Sequence, residues 1–178
     1  MTADERVRLD ALVHHVAPRL YAYVRRFHGP GSDVDEIVAE SFCRAALNCD
    51  AVFRSDRPEL YVFTIARNLC RDRIRRRSID YGADERLAEL ADAADGPGDE
   101  LTTREQRRAL GAAVADLPHE QREIVVLRLS GELRFEDIAS LLGIPLGTAL
   151  SRMHAAVQNL REQMGVQHER SRPQPQRV

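Results

Sequence analysis

The sequence predicts an all-α protein built as two small helical domains joined by an acidic, flexible linker. Three observations predict it. Apolar residues recur every three or four positions through two long blocks, the spacing that gathers them on one face of a helix. Aromatic residues make up only 5 % and tryptophan is absent, so the core is left to Leu, Ile, Val and Ala, with few Gly or Pro breaks. Between the blocks the charge inverts: Ser78 to Leu101 holds eight acids against one arginine, a net −7, and includes Gly96-Pro97-Gly98. Such a stretch cannot bury enough apolar surface to offset the entropy of ordering it. The expected division is a first domain over 1–77, a linker over 78–101, a second domain over 102–164 and a disordered tail over 165–178.

In the first block, Leu9 to Phe27 reads as an amphipathic helix carrying Leu12, Val16, Leu20 and Val24, stopped by the glycines and proline after His28. Ser32 or Asp33 caps a second helix whose first turn, Asp33, Asp35 and Glu36, suits the positive end of a helix dipole. Ile37, Ser41 and Cys43 to Ala45 continue inward; Glu36, Glu40 and Arg44 share an outer face. Asn48 to Pro58 shows no period and reads as a loop around Phe53. A long helix from Glu59 to Arg77 follows, with Val62, Ile65, Ala66, Leu69, Cys70 and Ile74 inward and Thr64, Arg67, Asn68, Arg71 and Arg75 opposite. From Leu60 to Arg77 six arginines face one aspartate, a net +5.

In the second block a helix over Thr102 to Leu117 turns Leu110, Val114 and Leu117 inward. Pro118 opens the next, which ends before Gly131. Phe135 to Leu142 is short, Gly143-Ile144-Pro145 breaks it, and the last helix runs from Leu146 to about Met164. A helical turn near Leu87 to Leu90 is expected inside the linker.

The whole-chain numbers exclude several classes. The three cysteines, Cys43, Cys49 and Cys70, are odd in number and lack CxxC spacing, against both a disulfide framework and a zinc site. Cys43 and Cys70 fall on apolar stripes and are expected in the core. No apolar run approaches the ~18 residues of a membrane span, and the N-terminus lacks a signal pattern, so a cytoplasmic location is expected. The six histidines show no metal-binding spacing. With no P-loop and no Gly-rich dinucleotide turn, neither an enzyme nor a cofactor is expected. All 26 basic residues are arginine, a bias that a GC-rich genome explains as readily as function.

Two constellations point to nucleic acid. From Phe135 to Leu160, Ala139 and Gly143 supply the small and permissive residues that a helix-turn-helix needs where its backbones approach. Ile138, Leu142, Ile144 and Met153 supply the shared core. Its second helix offers Leu146, Thr148, Ser151, Arg152 and His154 to a major groove, Arg134 stands ready for a phosphate, and no acid occurs from Pro145 to Arg161. The same spacing also suits a plain corner of a helical bundle. The second constellation is the face with Arg67, Asn68, Arg71, Arg75 and Arg76, near which Phe53 and Tyr61 offer stacking rings. Its bland alternative is a solvated face whose last turn complements the helix dipole.

From Leu9 to Arg161 the chain resembles the extracytoplasmic-function group of bacterial sigma factors of the sigma-70 family. The resemblance rests on Asp33-Val-Asp-Glu-Ile-Val-Ala-Glu-Ser-Phe-Cys-Arg-Ala45, the run from Tyr61 to Arg77, Leu117-Pro-His-Glu-Gln-Arg-Glu123, Phe135-Glu-Asp-Ile-Ala139 and the run from Gly143 to Arg152. It implies a sigma-2 domain and a sigma-4 domain on RNA polymerase core, with an anti-sigma factor as a further partner. By match of position, Asp35, Glu36, Glu40 and Arg44 would face the clamp helices of the largest subunit. Phe53, Tyr61, Arg67, Asn68, Arg71, Arg75 and Arg76 would meet and melt the −10 element. Arg134, Thr148, Ser151, Arg152 and His154 would meet the −35 element while sigma-4 rests on the polymerase flap. The chain departs from the pattern at Ala39, Leu60, Ala149, Leu150 and Ala155, the last two standing where basic residues are common. The alternative is a stand-alone helix-turn-helix regulator of duplex DNA, which would need neither the linker nor the Arg-Asn helix.

Overall fold

The computed structural model describes residues 2–28, 33–81 and 101–165; for 77–81 and 101–107 it describes the backbone alone. Eight helices are found among the described residues: α1 Ala3–His28, α2 Asp33–Leu47, α3 Cys49–Arg54, α4 Pro58–Tyr81, α5 Leu101–Ala115, α6 His119–Leu129, α7 Phe135–Leu142 and α8 Leu146–Gln163. The all-helical class follows as the periodicity predicts. The expected turn near Leu87 to Leu90, most of the linker and nearly all of the tail lie outside the described residues.

Helices α1, α2 and α4 pack on one another. Helix α1 buries Leu12, Val16, Leu20, Tyr23, Val24 and Phe27, with Tyr23 and Phe27 stacked at 5.5 Å between ring centroids. Helix α2 buries Val34, Ile37, Ser41 and Ala45, and the Ser41 hydroxyl donates to the Ile37 carbonyl at 2.6 Å, so its burial leaves no unpaired group. Arg73 ties α4 to the acidic first turn of α2, reaching Glu36 at 2.9 Å and Asp33 at 3.5 Å.

Several expectations are corrected. The segment read as a loop contains α3, anchored by the fully buried Val52; six residues are too few to display a helical period. Helix α4 runs past Arg77 to Tyr81. Cys43 is exposed, displaced from the buried stripe of Ile37, Ser41 and Ala45 by half a turn. Cys70 is buried as expected, and burial pushes its thiol up to about 12, which keeps it protonated and inert. Leu110 is 42 % exposed rather than inward.

The second half packs α6 against α7 and α8, with α5 against α6 and α8. The apolar core does not stop at the boundary between the halves. Ile124, Val126, Leu127, Leu133 and Ile138 belong to the same buried cluster as Val16, Tyr23 and Phe63. A smaller cluster of Leu117, Val125 and Ala156 completes the second half.

Gly131, in the turn after α6, is tightly enclosed. A Cβ there would lie 2.7 Å from the Leu127 carbonyl oxygen and 3.1 Å from Cε1 of the Phe63 ring. Gly131→Ala should therefore cost about 1–3 kcal/mol of stability through overpacking. Urea unfolding followed by circular dichroism checks this; an unchanged midpoint would show that the turn relaxes freely.

Candidate nucleic-acid interface

The α4 arginines do not form one uniform surface. Asn68, Arg71, Arg75 and Arg76 are exposed, and Arg75 pairs with its neighbour Asp72 at 3.3 Å. Arg67, on the same face, is covered. Its side chain is 14 % exposed, and its guanidinium donates through Nε to Glu123 Oε1 at 2.7 Å and through Nη2 to Oε2 at 3.5 Å. Glu123 belongs to α6 and its side chain is 6 % exposed.

Three further joints accompany that pair. Arg57, between α3 and α4, is bonded to Asp137 in the first turn of α7. Arg19 on α1 donates from Nε at 3.0 Å and from Nη2 at 2.7 Å to the carbonyl oxygen of Gly131. Phe27 meets His119 edge to face at 5.5 Å. Each joint links residues far apart in sequence, so the two halves meet at several points.

Of the expected stacking rings, Phe53 is half-buried with the Arg8 guanidinium 4.3 Å from its ring centroid. It borders an open depression walled by Arg8, His15, Arg57 and Glu59. Tyr61 is half-buried and packed on the core. One face of the Phe53 ring is therefore taken up by the Arg8 guanidinium.

The helix-turn-helix is built as its sequence predicts. Gly143 adopts φ +67, the left-handed conformation that L side chains rarely take. The Ile144 amide donates to the Ala139 carbonyl at 3.0 Å and the Gly143 amide to Ser140 at 3.3 Å, the paired bonds of a Schellman turn. Ile138 is fully buried, and Leu142, Ile144 and Met153 pack against the core. Helix α8 buries Ala149 and Ala156 and exposes Leu146, Gly147, Leu150, Ser151 and His154. Thr148 is half-buried. His154 is within 3.1 Å of Gln158, and Arg152 reaches Glu120 on α6 at 2.5 Å. Arg134 is bonded to Asp137 at 3.2 Å, so the residue read as a phosphate contact is engaged within its own helix start.

On α2, Asp35, Glu36 and Arg44 are exposed, and Glu40 pairs with Arg44 at 2.6 Å. Sequence reasoning singled out neither Arg19 and Arg57 nor Glu123 and Asp137 as functional. Their signal is tertiary: each matters because of a partner in the other half. Among the described residues one trio of metal-ligand type lies close together, Glu5, Cys49 and Asp50, on the surface where α1 begins beside α3. No helix among them is long and apolar enough to cross a membrane.

Comparison with known proteins matches each half of the chain to a family model. Residues 12–79 match the family model of sigma-70 region 2, and residues 107–160 match that of sigma-70 region 4. The chain is 30 % identical to the ECF RNA polymerase sigma factor SigW of Bacillus subtilis, over 82 % of this chain and 83 % of that protein. It is 32 % identical to the ECF sigma factor EcfG of Rhodopseudomonas palustris, over 88 % of this chain and 83 % of the relative. In fold it is similar to the sigma factor RpoE of Bartonella quintana, solved with the anti-sigma factor NepR, at a TM-score of 0.68 and 21 % identity over 86 % of this chain and 94 % of that one.

The turn geometry generates a direct test. Gly143→Ala forces a Cβ into the left-handed region and should cost about 1–2 kcal/mol. Nothing lies within 4 Å of the added atom, so the loss is conformational rather than steric. Thermal unfolding of the variant checks it, and Gly143→Asn, which tolerates that conformation better, should recover part of the loss.

Proposed function

The chain belongs to the extracytoplasmic-function group of RNA polymerase sigma factors, and on that premise we propose which of its residues meet the polymerase and the promoter. As a sigma factor it binds core polymerase and directs initiation at promoters through −35 and −10 elements. We assign residues 1–77 to the sigma-2 domain, 78–101 to the linker, 102–164 to the sigma-4 domain and 165–178 to the tail. The chain works as an initiation factor in the cytoplasm, contributing binding and strand-opening free energy while the polymerase does the chemistry.

The observation that carries the assignment is the concentration of cations on one helix. Asn68, Arg71, Arg75 and Arg76 lie exposed along α4, and Arg67 continues that face. Arginine offers phosphate a bidentate fork, and asparagine can read a base edge. Phe53 and Tyr61 stand near it as stacking groups for unpaired bases. Asp35, Glu36, Glu40 and Arg44 on the outward side of α2 form the polymerase-binding face.

For the −35 element, α8 supplies Thr148, Ser151, Arg152 and His154, with Arg134 at the start of α7. Gly147 supports this reading. It stands in the first turn with an ordinary backbone conformation, and a Cβ there would meet nothing within 4 Å. Glycine inside a helix costs about 0.5–1 kcal/mol relative to alanine, and nothing within the fold requires it. It keeps the helix start flat where a DNA backbone would approach amides that have no partner inside the helix. The anti-sigma complex of the Bartonella quintana relative supports a small inhibitor as a further partner of this chain.

The test adds the chain to core polymerase and sequences transcript starts from genomic DNA. A defined promoter class should appear, whereas an operator footprint by the free chain without one would favour the stand-alone regulator. Within that assay, Asn68→Ala should lower open-complex formation at least several-fold with core binding unchanged. Equal loss of both would make Asn68 a structural residue.

A further inference from the structure

We propose that Leu146 and Leu150 are specificity-determining residues of α8, which select thymine in the −35 element by packing on its C5-methyl group in the major groove. This rests on the assignment of α8 to that element, and it adds an apolar contact to the polar ones.

Single exposed leucines are ordinary on a protein surface. These two are placed differently. They stand one turn apart on the outward side of the second helix of a helix-turn-helix, in the N-terminal part that reaches base edges. Leu146 is 40 % and Leu150 46 % exposed, and Ala149 between them is fully buried, so the helix turns its small residue inward and its large ones out.

The polar groups around the leucines are engaged inside the protein. Arg152 reaches Glu120, and Arg134 is bonded to Asp137. The Ser151 hydroxyl donates to the Thr148 carbonyl at 3.0 Å, and His154 lies within 3.1 Å of Gln158. A base edge approaching the first two turns therefore meets two isobutyl groups before it meets an uncommitted arginine fork. In the major groove only the thymine methyl offers them an apolar partner; the other bases present acceptors and amino donors. A leucine set against those groups strips them of water and returns no hydrogen bond. Thymine is favoured twice, by burial of its methyl and by the penalty on its competitors.

Two observations point to a DNA groove rather than to a protein partner. A helix that docks on a protein lays down an apolar stripe at i, i+3, i+4 and i+7. Here the outward stripe ends after Leu150, and His154 and Gln158 follow it. Charge agrees: Pro145 to Arg161 holds no acid, so this helix carries nothing that repels a polyanion. Gly147, beside Leu146, leaves open space where a Cβ would stand, which lets a strand come down to the helix. The leucines are ~6 Å apart along the helix axis. That is about two base steps of duplex, which sets the expected spacing of the thymines.

The test uses the holoenzyme, the full chain with core polymerase, on the strongest promoter that transcript-start mapping yields. In synthetic duplexes each thymine of the −35 element, on either strand, is replaced in turn by deoxyuridine. That change keeps every hydrogen-bonding group and removes only the methyl. Holoenzyme binding, read by fluorescence anisotropy, should weaken about three- to fivefold at one or two of those positions, the effect of one buried methyl. Leu146→Ala/Leu150→Ala should bind the unmodified promoter more weakly by at least that factor and lose the uracil response; both sites are exposed and alanine is the stronger helix former, so the fold is kept. Leu129→Ala, at an exposed leucine on α6, should keep both the affinity and the response. Indifference to uracil at every −35 thymine, while base-pair inversions there still weaken binding, overturns the methyl contact and leaves α8 on the element. A uracil response that persists in the double variant overturns the role of the leucines. If inversions within the −35 element leave binding unaltered, the assignment of α8 fails and the inference falls with it.

Discussion

A guanidinium withdrawn from water must be neutralised, and in this chain Glu123 performs that task for Arg67. The requirement fixes more than two side chains. It sets α6 against α4 at one register, and the turn after α6 then lands where only a glycine fits between the Leu127 carbonyl and Phe63. Arg19 closes over the same turn through its carbonyl oxygen. The continuous buried cluster through both halves is compatible with that register. The pair's stability is modest in itself, since two desolvated charges recover little more than they lose. Its larger effect is specificity: a docking that covered Arg67 without bringing Glu123 to it would leave a charge buried and unpaired.

Arginine suits phosphate, base edges and carboxylates alike, because its fork matches any planar or tetrahedral oxyanion. A cationic face of this kind is thereby open to capture by the chain's own acids, as Arg67 is by Glu123. The recognition helix shows a milder form of this, with Arg152 turned to Glu120 while Leu146, Leu150 and His154 stand outward. With Leu150 outward and Arg152 turned to Glu120, α8 presents little free charge. On the proposed assignment, affinity for DNA comes largely from the α4 face and from the polymerase.

Much of this was legible in the sequence. The stripes of α1 and α4, the acidic start of α2 and the Gly143 turn are local features, and each appears where its spacing predicts. The short α3 was not legible, since one and a half turns carry no period. Phe63 also escaped, because it lies off the main stripe of α4 and is buried by Gly131 of the other half. Cys43 misled because a cysteine beside apolar residues reads as core, although half a turn separates it from the buried face. Most consequentially, Arg67 reads as one of several equivalent cations. Only the fold distinguishes it, by bringing to it a glutamate 56 residues away.

The central claim is that Arg67 and Glu123 are energetically coupled across the two halves of the free chain. A double-mutant cycle with Arg67→Gln, Glu123→Gln and the pair, followed by urea unfolding, measures that coupling directly. The structure predicts a coupling energy of about 1–3 kcal/mol, with the double variant losing less stability than the sum of the two single losses. A coupling indistinguishable from zero would contradict it, and would mean that the two halves do not meet at this pair in solution.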